Sequence, residues 1–274
     1  MKKLSVLFVS LLVVTVFTAC NNNDDSSNTQ TFTMTINSRA IDGDDVVFSQ
    51  GTGKADLDYT NMLIKFNGDY KDANGLSHTF ATPDMKMTGT NTAVRHFTNV
   101  ASSTYTGIEG LDGYIDFSTG MMWYTFEVGG VKVVSTSCLL YAYTMLYAYV
   151  TTTITNPDNG NHSSHDHSAY LFGIDTKGET CTMLISNFIP TIGGSVQATE
   201  IQYKNLTMTP TATGYTITAA EAESSYRGFY TITDLNVNLN DQGRVIEGSF
   251  KCNDLEFTIS GKMFPNDVMG PQDL

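Results

Sequence analysis

His162-Ser163-Ser164-His165-Asp166-His167 is the densest run of chemistry-capable side chains in the sequence, gathering three of the chain's five histidines. Imidazoles at i, i+3 and i+5 beside a carboxylate could wrap Zn²⁺, Ni²⁺ or Cu²⁺, since the neutral ring nitrogen suits all three ions. His162, His165 and His167 are therefore the candidate metal ligands. The competing reading is a solvated loop, because the run follows the turn-forming Asn156-Pro157-Asp158-Asn159-Gly160 and a metal would have to order it. Asp42-Gly43-Asp44-Asp45 and Asp158-Asn159-Gly160-Asn161 hint at Ca²⁺. Neither has the ligand spacing and closing Glu of a calcium loop, and turn chemistry accounts for both.

Other chemistry finds less footing. The sequence holds no Gly-x-Ser-x-Gly elbow and no Gly-rich phosphate cradle. A carboxylate pair for glycoside hydrolysis is a three-dimensional fact that 28 acidic residues do not specify. The chain therefore reads as a non-enzyme with no catalytic residues, no cofactor and no ligand-binding residues assignable from sequence. Cys138, Cys181 and Cys252 match no metal spacing and are odd in number. Cys181 falls in line with Met183 and Ile185, and Cys252 with Phe250, which favours buried thiols over a disulfide. Trp123, the single Trp, reads as a core residue, with an exposed sugar platform as the alternative.

The elements that would position these residues are strands. Short runs rich in Thr, Val, Ile, Tyr and Phe alternate in polarity between Gly, Asn and Asp clusters, and no sustained helical period competes. The chain also matches itself at an offset of about 121 residues. Asp58-Tyr59-Thr60-Asn61-Met62-Leu63-Ile64 falls on Glu179-Thr180-Cys181-Thr182-Met183-Leu184-Ile185, and Asp84 to Thr90 falls on Asn205 to Thr211. Further on, Phe126-Glu127-Val128-Gly129-Gly130-Val131-Lys132-Val133 falls on Phe250-Lys251-Cys252-Asn253-Asp254-Leu255-Glu256-Phe257.

The last match predicts two hairpins with a fixed register, since Gly-Gly and Asn-Asp both tolerate the positive φ of a two-residue turn. Val128 should face Val131, Glu127 face Lys132 and Phe126 face Val133; Cys252 should face Leu255, Lys251 face Glu256 and Phe250 face Phe257. The opposite charges exchange sides between the copies while the apolar pairs keep one face. Between the copies, Leu139 to Val150 is apolar on both faces of an extended strand, with Tyr141, Tyr143, Met145, Tyr147 and Tyr149 on one of them. Such a strand is buried on both sides, which predicts a joint packed between two domains, with a ligand-stacking Tyr stripe as the alternative. The fold class expected is all-β: two tandem duplicated antiparallel barrels or sandwiches, over 31–145 and 146–274, behind a disordered tether.

The second copy carries Ile185-Ser186-Asn187-Phe188-Ile189-Pro190, then Gly214-Tyr215-Thr216-Ile217, Tyr230-Thr231-Ile232-Thr233 and the Ser249 to Gly261 hairpin. In these strand-and-turn patterns it resembles the calycin-like β-barrel lipoproteins of Bacteroidota over about 110 residues. The first copy is less similar, with Lys65-Phe66-Asn67-Gly68 where the Asn-Phe-x-Pro run would stand. The resemblance implies a barrel whose wider group often holds small apolar ligands at the mouth, and it implies no activity.

The N-terminus supplies an address. Lys2 and Lys3 precede an apolar stretch from Leu4 to Phe17, and Thr18-Ala19-Cys20 follows. A run of about 14 apolar residues is a signal peptide rather than a membrane span, which needs roughly 20. Thr18-Ala19-Cys20 resembles a lipobox, so residues 1–19 are expected to be removed and Cys20 to carry the lipid; two or three acyl chains make such attachment lasting. Phe17 departs from the usual Leu. Residues 20–30, with Asn21-Asn22-Asn23-Asp24-Asp25, are too polar to fold and form a tether. The Asn/Asp run resembles the surface-export signal of Bacteroidota lipoproteins, implying display on the outer face of the outer membrane.

Removing Lys2 and Lys3 leaves 13 basic against 28 acidic residues, a net charge of −15. A body this acidic repels phosphate backbones, so nucleic acid is not an expected partner. The function expected is a membrane-anchored, non-enzymatic binding module for a small apolar molecule or a glycan. The alternative is a structural or accessory subunit of an outer-membrane complex, with another envelope protein as its partner.

Overall fold

The computed structural model describes residues 29–89, 93–99, 108–139, 145–226 and 228–264, without the His167 side chain. The expected signal peptide, Cys20 and most of the expected tether lie outside the described residues, as do Tyr141 and Tyr143. Residues Thr29 and Gln30, assigned to the tether from composition, already pair in the first strand.

Alternation every second residue gives strands throughout, and the described residues contain no helix. Nine strands form the first sheet: β1 (Thr29–Asp42), β2 (Asp45–Asp58), β3 (Leu63–Lys71), β4 (Ser77–Ala81), β5 (Met85–Lys86), β6 (Val94–Asn99), β7 (Glu109–Asp116), β8 (Met121–Val128) and β9 (Val131–Cys138). Eight form the second: β10 (Met145–Thr155), β11 (His162–Ile174), β12 (Thr180–Phe188), β13 (Ala198–Pro210), β14 (Gly214–Ala222), β15 (Ile232–Asn240), β16 (Val245–Cys252) and β17 (Leu255–Met263). All named ladders are antiparallel.

The second sheet is a closed barrel, because β10 pairs with both β11 and β17. Leu146, Ala148, Val150, Thr152 and Ile154 alternate inward along β10. The interior is filled by its own side chains, including Tyr170, Phe172, Met183, Tyr203, Phe250 and Phe257, all 1% exposed or less. Phe250 and Phe257, opposite one another, stack with ring centroids 4.8 Å apart.

The first sheet runs β4-β3-β2-β1-β9-β8-β7-β6 and curls without a full ladder between its edges. This departs from two closed barrels. The edges meet through β5, which pairs with β3, and through Thr88, which exchanges backbone hydrogen bonds of 2.7 and 2.8 Å with His96 of β6. Pro83 lies in the break between β4 and β5, both of which pair with β3, where a residue without an N–H cannot donate to that ladder. In the barrel, β13 holds the corresponding place as one unbroken strand.

Both hairpins form in the expected register. Val128 pairs with Val131, Glu127 with Lys132 and Phe126 with Val133; Cys252 pairs with Leu255, Lys251 with Glu256 and Phe250 with Phe257. Gly129 and Gly130 have φ of 58° and 84°, and Asn253 and Asp254 have φ of 51° and 60°, so both turns use left-handed backbone at both central residues.

The two bodies meet side to end. Residues 36–40 of β1 are buried on both faces, as are most of β8 and β9. The inner face lines the first lobe, and the outer face lies against the end of the barrel formed by residues 175–179, 211–213 and 241–244. Arg39 crosses this boundary: Nη2 donates to both carboxylate oxygens of Asp241 at 2.5 and 2.7 Å, and Nη1 donates to the Thr211 carbonyl at 3.2 Å. Its guanidinium lies 4.4 Å from the centre of the Tyr215 ring. Lys132 donates to the Gln242 side chain across the same boundary. Phe48 of β2 packs onto Gly178, where an added Cβ would come within 2.5 Å of its ring.

An apolar cluster completes the joint with Val94, Met121, Trp123, Val134, Cys138 and Phe264, against which Met145 and Tyr147 pack. Tyr147 stacks on Phe264 at 5.4 Å and donates to Asp116 Oδ2 at 2.7 Å. Leu146, Ala148 and Val150 point the other way, into the barrel core. Strand β10 is thus covered on both sides over its first residues, and Trp123 is a buried residue of the joint.

Candidate functional site

The mouth of the first lobe holds a cleft of about 190 Å³. Its lining comes from four places that the topology brings to one end of the curled sheet. Asp42 ends β1; Tyr70 lies near the end of β3; Asp72, Ala73 and Asn74 make the β3–β4 turn, with His78 in β4; Val128, Val131 and Val133 flank the β8–β9 turn.

The polar wall is organised from its own sequence. Asp72 Oδ1 accepts from the backbone N–H of Asn74 and of Leu76, both at 2.9 Å, in an Asx-type turn. His78 Nε2 lies 2.9 Å from Asp72 Oδ2, and the imidazole stacks on Tyr70 at 5.5 Å with the planes 27° apart. The His78 hydrogen bond, followed by that from Leu76, holds the Asp72 carboxyl below the usual carboxylate range. Burial, followed by the charge of Asp72, pushes the Tyr70 phenol up. The wall therefore presents an ionised carboxylate and a neutral phenol ring over an apolar floor of three valines.

The far end of the barrel is the second surface with unusual chemistry. Phe229 is 67% exposed, and Tyr226 and Val196 are 41% and 43% exposed. The β14–β15 connection that carries Phe229 is held by hydrogen bonds: Ser224 Oγ donates to the Phe229 carbonyl at 2.5 Å, and Tyr203 Oη donates to the Tyr230 carbonyl at 2.8 Å. Tyr230 also packs edge-on against Phe188, with ring centroids 5.5 Å apart.

The histidine run lies in strand, not in a loop. His162 pairs with Thr155 and His165 with Thr152, so the turn ends at Asn161 and β11 begins at His162. Residues three apart in a strand point to opposite faces. His162 is exposed, with Nδ1 3.4 Å from the Gly160 carbonyl, whereas His165 Nε2 is 3.2 Å from Ser163 Oγ. His165 also borders a void of about 10 Å³ with Thr152, Ser168 and Tyr170, enough for one water. The His167 side chain lies outside the described residues, and among those described no group of three His, Cys, Asp or Glu could hold a metal ion. Asp42 to Asp45 and Asn156 to Asn161 form the β1–β2 and β10–β11 turns. Cys138, Cys181 and Cys252 are buried thiols.

No protein-family model matches the chain, and no curated protein does. The solved structures that are similar over most of their length include two transferrin binding proteins. One is the isotype 1 transferrin binding protein B of serogroup B Neisseria meningitidis; the other is a double mutant of the vaccine antigen transferrin binding protein B of Haemophilus parasuis Hp5. Each is 7% identical with a TM-score of 0.28, over 86% of this chain and 76% of the other. Likeness at that level bears on neither ligand nor mechanism.

Sequence reasoning missed the cleft residues. Tyr70, Asp72, Ala73 and Asn74 belong to no motif, and of the lining only Asp42, in an acidic turn, and the valines of the β8–β9 hairpin stood out. His78 stands six residues from Asp72 with no motif around it.

Proposed function

We propose that the chain is a lipid-anchored, non-enzymatic binding module, displayed on the outer face of the outer membrane and holding a small ligand in the first-lobe mouth. The cleft carries this reading, because it combines a concave apolar floor with a few convergent polar groups, the usual make-up of a ligand site. Among the described residues the barrel interior is filled by its own side chains, so the reading places no apolar molecule there. At about 190 Å³ the cleft is below the roughly 300 Å³ of sites for drug-sized ligands, which limits the occupant to a fragment-sized molecule or a single sugar ring. The resemblance to calycin-like lipoproteins supports the same placement at a lobe mouth, and the two lobes are read as copies of one unit.

The anchor rests on Thr18-Ala19-Cys20 and the acidic tether. Cys20→Ser should move the protein from the membrane fraction to the soluble fraction of cells; retention in the membrane would remove the lipoprotein reading. The cleft is tested by Ala73→Trp, which fills it from an exposed turn. A fragment library screened by ligand-observed NMR should yield hits on the intact mature chain that Ala73→Trp loses, and hits that persist would place binding elsewhere.

A second reading, an accessory subunit docking a protein of the envelope, is favoured by the exposed Phe229, Tyr226 and Val196 at the free barrel end. Phe229→Ala should abolish cross-linking to that partner in intact cells while leaving the cleft variants unaffected.

A further inference from the structure

We infer that the ligand of the first-lobe cleft is a small organic ammonium: a protonated amine on a short apolar chain, such as a diamine or a lysine-like side chain. This rests on the reading of the cleft as a ligand site. Three observations select the charge. Asp42 and Asp72 both line the cleft, and among the described residues no lysine or arginine does. The imidazole on the wall, His78, is engaged: Nε2 faces Asp72 and the ring lies against Tyr70. The entrance is bordered by the β1–β2 turn, whose Asp44 and Asp45 are exposed, in a chain of net charge −13. An anion entering this mouth is repelled, and a cation is drawn in.

The rest of the molecule follows from the floor. Val128, Val131 and Val133 give it nothing to hydrogen-bond and reward an alkyl chain. A bare metal ion would leave that surface unused, and no three-ligand group is present among the described residues. Asp72 keeps acceptor capacity on Oδ2 beyond its contact with His78, since a carboxylate offers about four lone-pair sites.

The test uses three five-carbon probes on the intact mature chain at neutral pH: 1,5-diaminopentane, 1,5-pentanediol and glutarate, by titration calorimetry and by melting temperature. The diamine should bind about tenfold or more tighter than the diol, with no binding of glutarate. Asp42→Asn should weaken the diamine about tenfold and leave the diol unchanged. Raising the salt should weaken the diamine alone. A diol that binds as well as the diamine, with both lost in Ala73→Trp, overturns the ammonium assignment and leaves the site standing. If no probe binds, or if binding survives both Ala73→Trp and Val131→Trp in variants that melt as cooperatively as the parent, the site itself falls. A glutarate preference reverses the charge argument and overturns the inference.

Discussion

Cys181 and Cys252 sit on inward positions of β12 and β16, 3% and 2% exposed, and burial pushes their thiols up to about 12 and about 11. Unfolded thiols titrate near 8.5, so the folded chain holds these protons harder. The stability they contribute is whole below about pH 8.5 and is lost as pH rises through about 11 and 12. Iodoacetamide at pH 8 should leave both unmodified in the native protein and alkylate them in urea, as read by mass spectrometry; native labelling would place them outside the core. The histidine run makes an opposite case. Its spacing suits a metal in a loop, but β11 directs His162 and His165 to opposite faces. Zn²⁺ or Ni²⁺ should therefore leave the melting temperature unchanged, and a rise abolished by His165→Ala would restore the triad. Cysteine burial was legible because neighbours two residues away share a face. The histidine geometry was not, because it depends on where the turn stops.

At the level of strands, the β8–β9 and β16–β17 hairpins were readable in full, down to the pairs, because a two-residue turn and a period of two leave one register. Closure was not readable. The barrel closes through eight pairs between β10 and β17, from Ala148 with Met263 to Thr155 with Glu256. Among the described residues, the single bridge between the edges of the first lobe is Thr88 with His96. Local opening follows the weakest ladder. Hydrogen exchange should show the Thr88 and His96 amides exchanging well before those of Thr152 and Ile154; equal protection would mean a continuous ladder at the first-lobe seam. Pro83 marks the break between β4 and β5 in the sequence, but which strands form the seam is visible only in the fold.

For the molecule as a whole, the Arg39–Asp241 pair decides how the lobes sit. Both side chains are buried, 0% and 1% exposed, and they lie on different bodies, 202 positions apart in the chain. Removing one partner strands a buried charge, at a cost of about 3–5 kcal/mol. Asp241→Ala should lower stability by that amount in urea unfolding and split one transition into two, the barrel melting last. Replacing the pair together with Met and Leu should recover most of the loss, since two apolar residues leave no charge to desolvate. A single transition at the parent midpoint for Asp241→Ala would show that the apolar cluster around Trp123 and Tyr147 holds the joint by itself.

Sequence by itself determined the all-β composition, the hairpin registers and a buried joint near Tyr147. Each is written in neighbours a few residues apart, where periodicity and turn chemistry act directly. Tertiary structure alone decided that one lobe closes and the other only curls, that Arg39 meets Asp241, and that Asp42, Tyr70, Asp72, His78 and three valines share a cleft. Those are contacts between distant segments, set by how sheets twist and which faces they bury, and no local pattern encodes them.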